Sequence, residues 1–155
     1  LRLPPAPVYG HPSSAHAKES PHPTRGAVMD ERFKVAISRL GMRVRVAGGA
    51  ELGGPADRIN PAALKTLYKV LHDWFPGAVT LQQGVQQWKG ARPMLPDGPP
   101  VIGPSGIPGV WLNLGHGSSG WALSCGSART LADMVAGQDP GIDMEGFGVE
   151  RLLND

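Results

Sequence analysis

From Gly98 to Ala128 the chain carries no Asp, Glu, Lys or Arg. A helix of that length would be long enough to cross a bilayer. Pro99, Pro100, Pro104 and Pro108, with glycines among them, prevent one continuous helix. An uncharged run broken this often finds its cover in a folded protein, against a core or a ligand. The rest of the chain has to be arranged around it.

Overlapping that run, Val110–Ala136 reads VWLNLGHGSSGWALSCGSARTLADMVA. Val110–Leu114 is short and apolar and reads as a buried strand. Gly115–Gly120 follows, with His116 as its one bulky side chain. Trp121–Ala136 reads as a helix, with Gly137 as C-cap and Pro140 as a stop. Strand, glycine turn and helix together bring main chain close to a ligand. Glycine puts no Cβ in the way, and the free N–H groups of the helix start carry partial positive charge. Gly115, Gly117 and Gly120 satisfy G-x-G-x-x-G, but near the C-terminus, with no later strand ending in an acid. No Lys-Ser or Lys-Thr pair closes the turn as in a P-loop. From the pattern alone two readings stay open: a ligand-contacting turn, or a tight connection between strand and helix. Cys125 reads as a small buried packing residue, not a redox thiol.

The 155 residues suffice for a modest core. The net charge of +2 is too small to argue for nucleic acid. One cysteine excludes an internal disulfide and a cysteine metal cluster. The sequence begins at Leu1, and Leu1–Pro23 lacks the apolar core of a signal peptide, so it reads as a processed product or a fragment. Leu1–Thr24 is Pro-rich and shows no periodicity. His11, His16 and His22 lack metal-ligand spacing and read as solvated loop residues.

Phe33–Leu40 and Arg43–Ala47 alternate and flank Gly41-Met42, which predicts a hairpin with a Gly-X turn. Phe33, Val35 and Ile37 share one face of the first strand, and Val44 and Val46 share one face of the second. Arg25–Asp30 is a candidate third strand. Arg43 and Arg45 share a face that reads either as solvated sheet or as a basic patch for an anion. Asn60-Pro61 starts a helix. Its stripe of Leu64, Leu67, Tyr68, Leu71, Trp74 and Phe75 predicts core packing, with Pro76-Gly77 as the stop. Val79–Trp88 reads as a strand. Arg92 precedes Pro93, so its backbone is held extended. Arginine beside a buried run needs an anionic partner: a ligand carboxylate, or internally Asp97 or another acid. Phe147 and Leu152-Leu153 read as packing for a short terminal tail.

GARPMLPDGPPVIGP followed by WLNLGHGSSGWALSCGSARTLADMVAG resembles the C-terminal part of FAD-dependent D-amino acid dehydrogenases, which belong with D-amino acid oxidases and glycine oxidases. VMDERFKVAISRLGMRVRVAGGAEL is similar to the substrate-domain strands of the same enzymes. The likeness runs from about Val28 to Gly137. It implies an α+β fold: a partial substrate-domain antiparallel sheet with a helix, over residues 1–90. Residues 91–155 would supply the C-terminal strand, glycine turn and helix of an FAD-binding domain.

The resemblance also implies chemistry. A D-amino acid gives up a hydride from Cα to flavin N5, and the imino acid hydrolyses to a 2-oxo acid and ammonia. Arg92 matches the family arginine that clamps the substrate carboxylate. Gly115, His116, Gly117, Ser118, Ser119, Gly120 and Trp121 would lie against the flavin. Helix-start N–H groups would stabilise the charge that reduction puts on the N1–C2=O edge. For His116 a plain packing role stays open. Tyr9 and Tyr68 sit in no motif that carries a role across, and no catalytic side chain is assigned. The family's N-terminal Rossmann unit, which holds the FAD pyrophosphate, has no counterpart in this sequence. The chain by itself is therefore expected to be incomplete as an enzyme, and to associate with itself or a partner chain. Two alternatives stand: an amine oxidoreductase acting on glycine, sarcosine or proline, and a non-catalytic fragment. The family's dehydrogenases deliver electrons to the respiratory chain at the inner membrane and its oxidases to oxygen. The expected location is accordingly cytoplasmic or peripheral at that membrane.

Overall fold

The computed structural model describes residues 3–18 and 24–153, so His22 lies outside the described part. In chain order the first elements are β1 (Ala6–Gly10), β2 (Ser13–Ala17), β3 (Ala27–Asp30), β4 (Val35–Leu40), β5 (Arg43–Gly48) and β6 (Glu51–Leu52). Then come α1 (Pro61–Trp74), β7 (Val79–Thr80), β8 (Gln86–Gln87) and β9 (Gly90–Met94). The last are β10 (Val101–Pro104), β11 (Trp111–Leu114) and α2 (Gly120–Val135). The fold is α+β, as expected: antiparallel sheet with two helices. It divides into two compact units, one holding Tyr9–Ala91 and the other the described residues before and after it. A separate three-stranded sheet has the order β6-β1-β9.

The Tyr9–Ala91 unit is built on a six-stranded sheet of order β3-β4-β5-β2-β7, with β8 also paired to β2. β4 and β5 form the predicted hairpin, pairing Leu40 with Arg43 around Gly41-Met42. Gly41 has φ +60°, the conformation the first turn position demands. Val35, Ile37, Val44 and Val46 on one sheet face meet Leu67, Val70 and Leu71 of α1 in a single buried cluster. Each such side chain contributes about 1.5–3 kcal/mol when fully buried. α1 starts as predicted: the Asn60 side chain accepts the Ala62 N–H at 3.0 Å, with Pro61 in the first turn. Trp74 departs from the expected core stripe. It is half-exposed, and its indole N–H donates to Asp30 at 2.8 Å.

Three further expectations are corrected. The hairpin strand begins at Val35, because Asp30 accepts the Phe33 N–H and closes a turn in which Lys34 takes φ +51°. Val79–Trp88 is not one strand. β7 and β8 pair separately with β2, and the chain between them bulges out, with Gly84 at φ +67°. The N-terminal stretch, which shows no periodicity, supplies β1 and β2, and β2 lies between β5 and β7. Its buried residues are Ser13, Ser14 and Ala15, so hydrogen bonding on both edges, not apolar alternation, makes it a strand.

In the other unit β10 and β11 pair antiparallel, from Val101 opposite Leu114 to Pro104 opposite Trp111. The buried strand here is β10, not the Val110–Leu114 run. Val101 and Ile102 are buried, whereas Leu112 and Leu114 are half-buried and Trp111 and Asn113 exposed. Leu95, Val101 and Val149 form the core, with Leu112, Leu114 and Leu152 against it. The C-terminal segment is tied to β10, where the Ile102 N–H donates to the Phe147 carbonyl at 3.0 Å. Leu153 is exposed. α2 packs along β10 and β11 and ends as expected, with Gly137 at φ +70°. Only Ser127 and Thr130 of α2 are buried, and Cys125 is exposed rather than packed, because the helix face that carries it is uncovered in this chain.

Candidate functional site

Arg92 lies in β9, half-buried, directly before Pro93. Two residues on, Met94 makes an antiparallel bridge to His116. This bridge sets the Arg92 strand beside the glycine turn, two parts separated by more than twenty positions in the sequence. The approach depends on glycine. A Cβ on Gly115, at φ +82°, would lie 2.4 Å from the Leu95 side chain, and one on Gly117 would meet Met94 at 3.2 Å. These glycines thus let the turn pack on residues 94–95, a reason of local packing that the ligand argument alone does not include.

Gly117–Ser119 forms a single 3-10 turn leading into α2, with the Ser119 N–H on the His116 carbonyl at 3.1 Å. No side chain caps the start of α2. The positive end of the helix dipole lies at this turn. His116 Nε2 is buried and has no hydrogen-bond partner among the described residues. Ser118 and Ser119 are exposed, and Trp121 is 94% exposed on the first turn of α2. An apolar cavity of about 510 Å³ is lined by His116, Leu123 and Thr130 on one side and Pro100, Ile102 and Phe147 on the other. Asp97, weighed as an internal partner for Arg92, is engaged by Arg151, whose Nε lies 2.5 Å from its carboxylate. That hydrogen bond holds the Asp97 carboxyl below its ordinary range.

Sequence reading misses one constellation, in the Tyr9–Ala91 unit. The Glu51 carboxylate accepts from Lys89 Nζ and from His11 Nε2, each at 2.7 Å, and from the Asn60 amide at 3.2 Å. Lys89 also donates to the Pro55 carbonyl at 2.9 Å and sits over the Tyr9 ring. The Lys89 side chain is 3% exposed and His11 1%, so His11 is a core residue, not a solvated one. The Lys89 hydrogen bond, then the His11 one, pull the Glu51 pKa from 4.5 to about 2. No spacing rule links positions so far apart. The anchored lysine stands three residues before Arg92. Tyr68 has a structural role, hydrogen-bonded to Ser13 and Gln87. Among the described residues no group of His, Cys, Asp and Glu could hold a metal.

The fold is one that solved oxidases share. It superposes on glycine oxidase from Geobacillus kaustophilus with a TM-score of 0.80 at 23% identity, over 96% of this chain and 40% of that one. Iminodiacetate oxidase from Chelativorans sp. gives 0.81 at 21% identity, with the same coverage. The chain belongs to the FAD dependent oxidoreductase family, which it matches over residues 2–134. It is 44% identical to a D-amino acid dehydrogenase of Bradyrhizobium diazoefficiens, covering 99% of this chain and 36% of that protein. A D-amino acid dehydrogenase of Cereibacter sphaeroides is 43% identical, again over 99% of this chain and 35% of its own length. The chain thus spans about a third of the curated relatives it matches.

Proposed function

We propose that the protein carrying this chain is an FAD-dependent D-amino acid dehydrogenase, and that Arg92 and the Gly115–Trp121 turn face its substrate and cofactor. The observation that carries this reading is the Met94–His116 bridge, which holds a candidate carboxylate clamp beside an uncapped helix start. The donor set suits a flavin. The first N–H groups of α2 would face its anionic edge, and His116 Nε2 is a buried polar atom in need of a partner. FAD, when bound, takes up the hydride from the substrate Cα, leaving an imino acid that water converts to a 2-oxo acid and ammonia. Arg92 would grip the α-carboxylate through two parallel N–H donors and so fix the orientation of Cα. The electron acceptor would be the respiratory chain, with the protein peripheral at the inner membrane. No helix of the described residues is long and apolar enough to cross a membrane.

Dye-linked oxidation of D-alanine by the protein carrying this chain tests the reading, with glycine, sarcosine and proline as competing substrates. Arg92→Ala should raise KM for D-alanine by roughly 30-fold or more, since losing one partner of a buried charge pair costs about 2–5 kcal/mol. FAD content should be unchanged. A variant with wild-type KM and kcat would remove Arg92 from the site, and preference for glycine, sarcosine or proline would reassign the substrate.

A further inference from the structure

Arg43 and Arg45 stand two apart on β5, on the sheet face opposite α1, yet their surroundings differ completely. Arg43 is committed to the fold. It donates to the Ser14 hydroxyl at 2.8 Å, the Ser14 carbonyl at 2.7 Å and the Gly84 carbonyl at 2.9 Å, and it contacts His16 at 3.1 Å. These bonds tie the bulge between β7 and β8 to the sheet. Arg45 has no hydrogen bond and no acidic partner among the described residues. Its guanidinium lies over the Trp88 ring, 4.9 Å from the centroid. It is only half-exposed, in a central strand.

The pairing registers define its neighbours. Ser38 of β4 is directly opposite Arg45 on one side and Ser14 of β2 on the other, and Gln86 of β8 is opposite Ser14. Directly paired residues project from the same face, so Ser38, Arg45, Ser14 and Gln86 form one polar row across four strands. No residue that the registers place on this face is acidic. Arg43 adds a second positive charge beside Arg45. A guanidinium stacked on an aromatic ring loses freedom of rotation while its in-plane N–H donors remain available. Such a fork matches the two oxygens of a carboxylate. A half-buried arginine with a rigid backing, hydroxyl neighbours and no internal acid is a built recognition element, not a solvated charge.

We propose that Arg45, backed by Trp88 and flanked by Ser38, is an oxyanion site that takes the carboxylate of a small organic acid. The site is made of other residues than Arg92 and does not depend on the activity proposed above. Arg45 supplies charge and geometry, Trp88 holds the guanidinium plane, and Ser38 donates a further hydrogen bond.

The test is calorimetric titration with succinate at constant ionic strength, with succinamide as the uncharged control; every protein titrated, the Arg45 reference included, carries Arg92→Ala, so that the clamp proposed above takes no succinate. Succinate should bind saturably and succinamide should not. Arg45→Gln should abolish the saturable heat. Arg45→Lys, which keeps the charge but loses the fork, should weaken binding at least tenfold. Trp88→Leu should weaken it by a smaller factor. Thermal unfolding of each variant checks that the sheet is intact, and the Lys variant keeps the test decisive where Gln disturbs folding. Absence of saturable succinate binding overturns the proposal. So does equal binding by the Arg45 protein and its Arg45→Lys variant.

Discussion

At the scale of single residues, Glu51 shows how a charge becomes part of a fold. Its carboxylate sits between Lys89 and His11, both almost wholly buried, and its pKa falls from 4.5 to about 2. The folded value lies below the unfolded one. The ionised carboxylate therefore stabilises the fold above pH 4.5, and that contribution is lost as pH falls from there toward 2. Acid unfolding of the wild type should steepen in this window. Glu51→Gln should be less stable at neutral pH, because Lys89 keeps its burial and loses its counter-charge. The variant should also respond less to acid between those limits. Superimposable acid-unfolding curves for the two proteins would show that the network contributes nothing.

Elements depend on residues of the same kind at their ends. α1 begins where Asn60 accepts the Ala62 N–H, and the same side chain donates to Glu51. Asn60→Ala should lower stability by about 1 kcal/mol from the lost cap alone. Asn60→Asp keeps the acceptor but sets a second carboxylate beside the first. It should recover less than full stability at pH 7 and more when the carboxylates are protonated. Urea unfolding at the two pH values measures both, and full recovery by Asp at pH 7 would sever the cap from the Glu51 network. The hairpin of β4 and β5, the start and end of α1 and the C-terminus of α2 were all legible beforehand. They depend on turn chemistry and periodicity within a few residues. β2 was not legible, because its serines and alanine become a strand only through partners on both edges. The division of Val79–Trp88 into β7 and β8 was equally hidden, since it follows from their separate pairing with β2.

For the whole molecule the question is what 155 residues can do when their relatives are nearly three times as long. α2 leaves Trp121, Leu123 and Val135 exposed. The proposed flavin contacts are confined to one turn and one helix start. A ligand held at one end loses the linked contribution of the other, which changes avidity by roughly 100-fold or more. FAD titrated into these 155 residues alone should not bind stoichiometrically, and D-alanine should reduce no dye. Stoichiometric FAD with D-alanine-dependent reduction would show that this turn and helix suffice. The sequence by itself determined the uncharged run, the glycine turn, the two helices and the extended arginine before proline, because each rests on neighbours a few positions away. Only the tertiary structure decided that Met94 meets His116, that Arg151 takes Asp97, that His11 is buried on Glu51 and that Cys125 is exposed. Those outcomes depend on which distant strand or helix arrives to supply a partner or to cover a face, and no local pattern encodes that arrival.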